Sequence, residues 1–478
     1  MADSPSLRDC RDEVCSNRDD IPLKETGSDH SIDDEKQEYP PTLKLAPILI
    51  GLCFQSFCIA LDNTILSTAV PKITEQFNSI SDLSWYASAY LVTTCAVTLP
   101  FGKIYTYYST KWTYMIALAL FEIGSLVCAV TPTSKGLILG RAIAGIGSGG
   151  LSPGALLVLA NSVPLHRRAL YYGIIGSTSG IATITGPLWS IDRPCQLEMV
   201  FLDKHTIRCS HWTGDSSLLQ RFDENEAQAR HTWTAEKNGS AWYSGLHPGN
   251  SLNTIGLAMG WNELPIWFQA IKEDSASESG INNLPMVVAM IVCSALGGLL
   301  VNIVGYYTPL MFVGSVFLTI GSGLCTTFGI HTGHAKWIGY QVIIGVGAGL
   351  GFQQCINALQ TVLSLDDIPI GIAIITFAQS LSGAIFISIA QTVFENRLMA
   401  SISIYAPKLN PSAVIEGGAA NLSQRLSKEA LPSVLYAYNI AVTQTFYVSV
   451  AAALLSFIGA GLVQWKSMKK PHRQHPED

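Results

Sequence analysis

The run Leu61-Asp62-Asn63-Thr64-Ile65-Leu66-Ser67-Thr68-Ala69-Val70-Pro71 sets a carboxylate, an amide and a hydroxyl at the far end of an apolar stretch, Leu45 to Ala60. A charge at the centre of a membrane helix costs roughly 2.5–3.5 kcal/mol on the lenient insertion scales. Such a residue is therefore kept mainly where it lines a path for ions or solute. This one stretch turns the reading of the chain from a soluble domain to a membrane protein.

The composition points the same way. Of the 478 residues 48% are apolar and only 13% charged, against about 25% charged in ordinary soluble domains. Ten apolar spans are legible, at 45–65, 83–101, 112–131, 137–158, 170–189, 284–304, 308–328, 337–358, 371–394 and 439–464. Most approach or exceed the roughly 18–20 residues that cross a bilayer. They predict an all-α integral membrane fold. Gly and Ala crowd the spans, Gly140 to Gly150 above all. Small residues let membrane helices approach closely, although a glycine can equally do no more than relieve crowding.

The first 43 residues are read as an acidic, disordered cytoplasmic tail: Met1 to Pro40 holds twelve acids and five bases. High charge with almost no aromatics leaves nothing to bury. Nor does that stretch have the apolar core of a signal peptide. The eleven cysteines follow neither a zinc nor a disulfide spacing and read as free thiols. Lys103, Lys111, Arg167 and Arg168 lie in the second and fourth loops, and Lys466, Lys469, Lys470 and Arg473 in the C-terminal tail. Positive charge marks the cytoplasmic side, so both termini are expected there. The expected domains are a bundle over 44–189, a second over 264–438 that includes an external loop at 395–438, and a last helix with a basic tail over 439–478. That loop carries the sequon Asn421-Leu422-Ser423, a glycosylation candidate.

Residues 190–263 do not belong to this pattern. Ile191 to Asn262 is polar, rich in Trp, His and Asn, and without helical or strand periodicity. Structureless insertions of such length are uncommon inside compact domains. Read one base out of frame, degenerate codons for Ile191–Phe201 allow LTDRVSWRWCF, and those for 222–262 allow GTLAYIPAIVSTLLALQWGG, about one membrane span. The segment is thus read as a frame error, a mis-spliced transcript or a wrong gene boundary, with about four helices lost. A genuine external insert is the alternative.

The motifs together resemble the major facilitator superfamily, in particular the fourteen-helix drug:proton antiporter branch of filamentous fungi. LDNTILSTAVP is similar to that branch's first-helix motif. FGKIYTYYSTKW, with Gly102, Lys103 and Lys111, sits where the loop between helices 2 and 3 belongs. GRAIAGIGSGG matches the fourth-helix motif with its arginine, Arg141. GIATITGPL begins the fifth-helix antiporter motif with Gly180, Gly186 and Pro187. In the second half LPIWFQAI, GYYTPLM, TGHAKWIGYQ and the stretch around Gln353 and Gln354 also look like this branch. Two features depart from the pattern. The acid common in the 2–3 loop is absent, and Trp189-Ser190 replace the glycines expected after Gly186-Pro187-Leu188.

The resemblance implies a two-bundle secondary transporter that exports a small, often hydrophobic molecule against protons. The substrate site then lies near the midplane between the bundles. Its partners are a small-molecule substrate, protons and the lipid bilayer. Nucleic acid, cofactor and metal are not expected, and the protein is expected as a monomer in the plasma membrane, or in a vesicle or vacuole membrane. Solute uptake, and a truncated product without transport, are the alternatives. An enzyme is disfavoured, since no histidine cluster, nucleophile elbow or phosphate loop occurs and His331 and His334 stand alone. Proton coupling requires a group that titrates as the cavity changes sides. Glu122 and Asp62 are the candidates, though Glu122 reads equally as a buried carboxyl satisfied by a neighbouring helix. Asp62 reads also as a vestibule residue or a polar cap at a helix end. Arg141 either polarises a nearby acid or snorkels to an interface. Asn63, Gln353, Gln354 and Gln379 are cavity candidates, with helix–helix contact as the blander role for the glutamines. Lys103 and Lys111 are expected to orient the chain and gate its cytoplasmic side.

Overall fold

A computed structural model describes residues 42–77, 83–192, 263–363, 367–416, 422, 426–463 and 465–469. All of these belong to one compact unit, Tyr39–Asp478. Among them the regular structure is helical, apart from one isolated bridge between Tyr306 and Ser467. The expected all-α membrane class holds, and the ten expected spans all fall on long helices. In the first half these are α1 Thr42–Phe77, α2 Leu83–Tyr107, α3 Thr110–Val130, α4 Ser134–Ser162 and α5 Leu165–Asp192. After the polar segment come a short helix α6 (263–271), α7 Ala276–Asn282, α8 Leu284–Val304 and α9 Thr308–Cys325. They are followed by α10 His334–Gly351, α11 Gln354–Val362, α12 Ile368–Tyr405, α13 Pro411–Glu416 and α14 Leu431–Leu462. Of the polar segment, 193–262 lies outside the described residues.

Local chemistry sets the ends of these helices. Thr133 caps α4 by accepting from the Gly136 N–H, and Ser275 and Glu278 form a reciprocal capping box on α7. Proline occupies the first turn of α8, α9, α12 and α14, where its missing N–H costs no bond. Gly305, at φ 84°, closes α8 in the left-handed conformation. The C-terminal segment returns to this turn, with Met468 N–H donating to the Gly305 carbonyl at 2.8 Å. Beyond the expected end of the ninth span α12 runs on to Tyr405, and α14 begins at Leu431. Among the described residues of 395–438, most are therefore helical.

Glycine spacing explains the packing. Gly145, Gly147 and Gly149 on α4 face α2 or α3 so closely that an added Cβ would lie under 3.0 Å from backbone atoms of Tyr90, Phe121 and Thr94 respectively. Gly345, Gly347 and Gly349 on α10 do the same against Met286 and Met290 of α8 and Leu318 of α9. Gly-Ile-Gly-Ser-Gly and Gly-Val-Gly-Ala-Gly are thus one packing device used twice. They reveal the two halves as copies of one helical arrangement.

The copies meet along α5 with α8 and along α2 with α12. Here too backbones nearly touch. A Cβ on Gly173 would lie 2.6 Å from the Ser294 carbonyl oxygen, and one on Gly102 would collide with Ala373. One apolar cluster spans both halves, joining Phe101, Tyr105, Leu157, Val163 and Tyr172 to Ile356, Leu359, Leu363, Ile368 and Ile372. This end carries Lys103 near the end of α2, Lys111 at the start of α3, and Arg167 and Arg168 in the first turn of α5. These bases, expected in loops, are placed on helix ends, and this end is closed. Farther along α12, no residue from Thr376 to Ile389 is buried. Among the described residues eight helices are long and apolar enough to cross a membrane by length and composition, and α2 and α5 are not among them. Both of these helices line the seam between the halves.

Candidate functional site

Asp62 and Arg141 meet inside the first half. The Arg141 guanidinium approaches the Asp62 carboxylate at 2.5 Å, with side chains only 2% and 1% exposed. Arg141 Nε also donates to the Tyr86 carbonyl at 3.2 Å, and its charge lies 4.3 Å from the centre of the Tyr90 ring. The Tyr86 hydroxyl in turn pairs with Ser134 Oγ at 2.9 Å. The glycine seat at 145 makes this possible: by letting the Tyr90 turn of α2 touch α4, it brings the aromatic face onto the arginine one turn away. A buried charge is tolerated when it is both paired and hydrogen-bonded, and this arginine has an acid, a carbonyl and a ring.

The geometry removes two of the readings open from sequence. Asp62 is no helix-end cap, because α1 continues to Phe77. Arg141 does not snorkel, since it lies seven residues inside α4 and is fully buried. Gln55, seven residues before Asp62 and on the same face of α1, accepts from the Tyr114 hydroxyl at 2.7 Å. On α1 also, Ser56 pairs with Ser179 of α5 at 2.8 Å. Glu122 is half-buried on α3.

A second polar group lies where the long helix α10–α11 breaks at Phe352-Gln353. Gln353 and Gln354 are buried there, and Gln354 Nε2 donates to the Leu350 carbonyl at 2.9 Å. Asn357 Nδ2 donates to Gln354 Oε1 at 2.9 Å, while Gln360 Nε2 donates to the Tyr172 hydroxyl of α5. Tyr86, Tyr90, Tyr172, Asn357 and Gln360 were not singled out from sequence. The signal for the last two was available, as they extend the helical rhythm that begins at Gln353. Gln379 is half-buried on α12.

Gly102 is pressed on Ala373, and Gly180 on Ile291 of α8. Lys103 is exposed, whereas Lys111 is buried with Nζ 5.6 Å above the Trp112 ring. Of Asn63, Gly186 and Pro187 only the helical backbone is described, and Asn421 lies outside the described residues.

The profile of the Major Facilitator Superfamily matches residues 52–190. The chain is 43% identical to the MFS-type transporter ptmT of Penicillium ochrochloron, over 92% of this chain and 89% of that protein. It is 41% identical to the efflux pump roqT of Penicillium rubens, over 91% and 94% respectively. The alignment with ptmT runs over 510 positions, more than the 478 residues of this chain, so ptmT carries residues between the matched ends that this chain lacks. Among solved structures, the proton:xylose symporter XylE superposes with a TM-score of 0.62 at 14% identity, covering 89% of this chain and 97% of XylE. A bacterial homologue of the iron transporter ferroportin gives 0.63 at 12%, covering 87% and 98%. At such identities these two establish the fold alone.

Proposed function

The chain belongs to the major facilitator superfamily, and from that membership we propose that it exports a small hydrophobic molecule in exchange for protons. It is an integral membrane transporter rather than an enzyme. The observation that carries the coupling is the buried Asp62–Arg141 pair. In the closed-pair state the ionised carboxylate is bound to the guanidinium. A proton arriving from the external side neutralises Asp62 and dissolves the pair, leaving Arg141 to the Tyr86 carbonyl and the Tyr90 ring. Release of that proton to the cytoplasm restores the pair. Arginine keeps its own proton throughout, so the acid carries the exchange. Alternating access follows from parting the halves at the seam of α2 with α12 and α5 with α8.

Export rather than uptake is supported by the fifth-helix Gly186-Pro187-Leu188 motif and by the naming of relatives such as roqT as efflux pumps. We place the protein in the plasma membrane as a monomer. Proteoliposomes loaded with a fluorescent lipophilic cation test the reading. A pH gradient imposed in either direction should drive the dye against the proton flow, and Asp62→Asn should abolish the response. Transport that ignores the gradient refutes proton coupling.

One observation favours a second reading. The alignment with ptmT is longer than this chain, so that relative carries residues that this chain lacks, and the polar segment 190–263 is where the sequence itself departs from the pattern of apolar spans. A product missing several helices would accumulate poorly and transport nothing. Sequencing the transcript across the codons for Pro187 to Phe268 separates the two: a message restoring SWRWCF and further spans makes the full fourteen-helix form the working transporter.

A further inference from the structure

The amide row on α11 holds two oxygens for which the coupling scheme has no use. Asn357 and Gln360 are 0% and 2% exposed and, three residues apart, share a helix face. Their neighbours decide which atom each presents. A carbonyl can only accept, so Leu350 O obliges Gln354 to turn its NH2 toward it. Gln354 Oε1 must then accept from Asn357 Nδ2, which leaves Asn357 Oδ1 over. Tyr172 gives its single hydroxyl hydrogen to the Leu156 carbonyl at 2.9 Å. Toward Gln360 it can only accept, so Gln360 offers its nitrogen and Oε1 is left over. Among the described residues neither oxygen has a hydrogen-bond partner, and neither does Gln353 Oε1 one turn before.

Buried acceptors without donors cost about 1–3 kcal/mol each. Here they sit beside the apolar cluster that joins the two halves, flanked by Ile356, Leu359, Tyr172 and Ile175. A molecule that fits must bring hydrogens to the oxygens and be apolar elsewhere. Resting on the export reading above, we propose that Asn357 Oδ1 and Gln360 Oε1 form a substrate subsite that accepts hydrogen bonds from hydroxyl or N–H groups of an otherwise apolar molecule, reached when the halves part at the basic end. Acceptor-only molecules gain nothing there.

Two dyes of one chromophore test this. Rhodamine 123 carries N–H groups, and tetramethylrhodamine methyl ester has those hydrogens replaced by methyl. Binding to the purified full chain is read by fluorescence anisotropy, with variants Asn357→Leu and Gln360→Met. Each variant should weaken rhodamine 123 roughly tenfold, the loss of one hydrogen bond, and leave the methylated dye unchanged. Should one variant fail to accumulate, the other carries the test. Equal losses for both dyes would assign the amides to packing and overturn the subsite alone. No loss for either would mean that water satisfies the oxygens, and the subsite would fall on that result too. If the unaltered chain binds neither dye, the export reading falls and the subsite with it.

Discussion

Asp62→Asn preserves the side-chain shape, removes the charge, and leaves the Arg141 guanidinium where water hardly reaches it. Deleting one member of a buried pair costs about 3–5 kcal/mol, largely because the other charge is left uncompensated. The Tyr86 carbonyl and the Tyr90 ring remain in the variant, so the expected loss lies at the lower end, about 3 kcal/mol. Arg141→Met is milder, since an unpaired carboxylate can take up a proton whereas an unpaired guanidinium cannot shed one. The double variant has no buried charge and should be more stable than Asp62→Asn alone. The two changes therefore couple by about 2 kcal/mol, well beyond the 0.3–0.5 kcal/mol scatter of independent sites. The assay is unfolding of the purified chain in mixed micelles by added SDS, followed by tryptophan fluorescence. If the double variant loses the sum of the single losses, the pair is not an energetic unit and the coupling scheme built on it is wrong.

Other consequences follow from the glycine seats. Gly147→Ala sets a methyl against the Phe121 backbone, which cannot yield. It should destabilise by about 1–3 kcal/mol as an overpacked contact, whereas Gly323→Ala, with nothing within 4 Å of the new carbon, should be neutral or gain up to about 1 kcal/mol of helix propensity. Thermal melts in detergent read both, and equal effects would refute the packing account. Gly102→Ala forces α2 away from Ala373 at the closed end, so Cys355, 5% exposed on α11, should react faster with N-ethylmaleimide. A labelling rate unchanged by mass spectrometry would mean that this contact does not hold the seam. Gly305→Ala asks an L residue to adopt φ 84° and should cost about 1–2 kcal/mol. Proteolysis of the C-terminal segment docked on that turn should speed up correspondingly, and an unaltered rate would show the turn to be slack.

Much of the fold was legible because membrane insertion obeys a local rule. A run of apolar residues long enough to span a bilayer must be helical, since no water is present to satisfy its backbone. The ten spans needed no knowledge of their neighbours. Their ends were less legible. Polar stretches such as 395–405 continue a helix beyond the apolar core, and apolar length alone cannot reveal that. The internal copy was written as Gly145-Ile146-Gly147 and Gly345-Val346-Gly347, yet two short glycine patterns acquire meaning only when both are seen seating the same pair of helices.

The candidate site divides along the same line. From sequence, Asp62, Glu122 and Arg141 were each expensive enough in a membrane to suggest a role, because the cost of burying a charge belongs to the residue itself. Which acid meets the arginine was not a property of any residue. Asp62 is 79 positions away from Arg141, and their contact depends on how α1 is rotated and how closely the glycines let α2 approach α4. The same holds for the amides of α11: their spacing could be read along the chain, but the oxygens left over are set by hydrogen bonds to Leu350 and to Tyr172 on another helix. Burial cost is local and can be read in one dimension. Partnership is a matter of distance in three, and only the packed helices decide it.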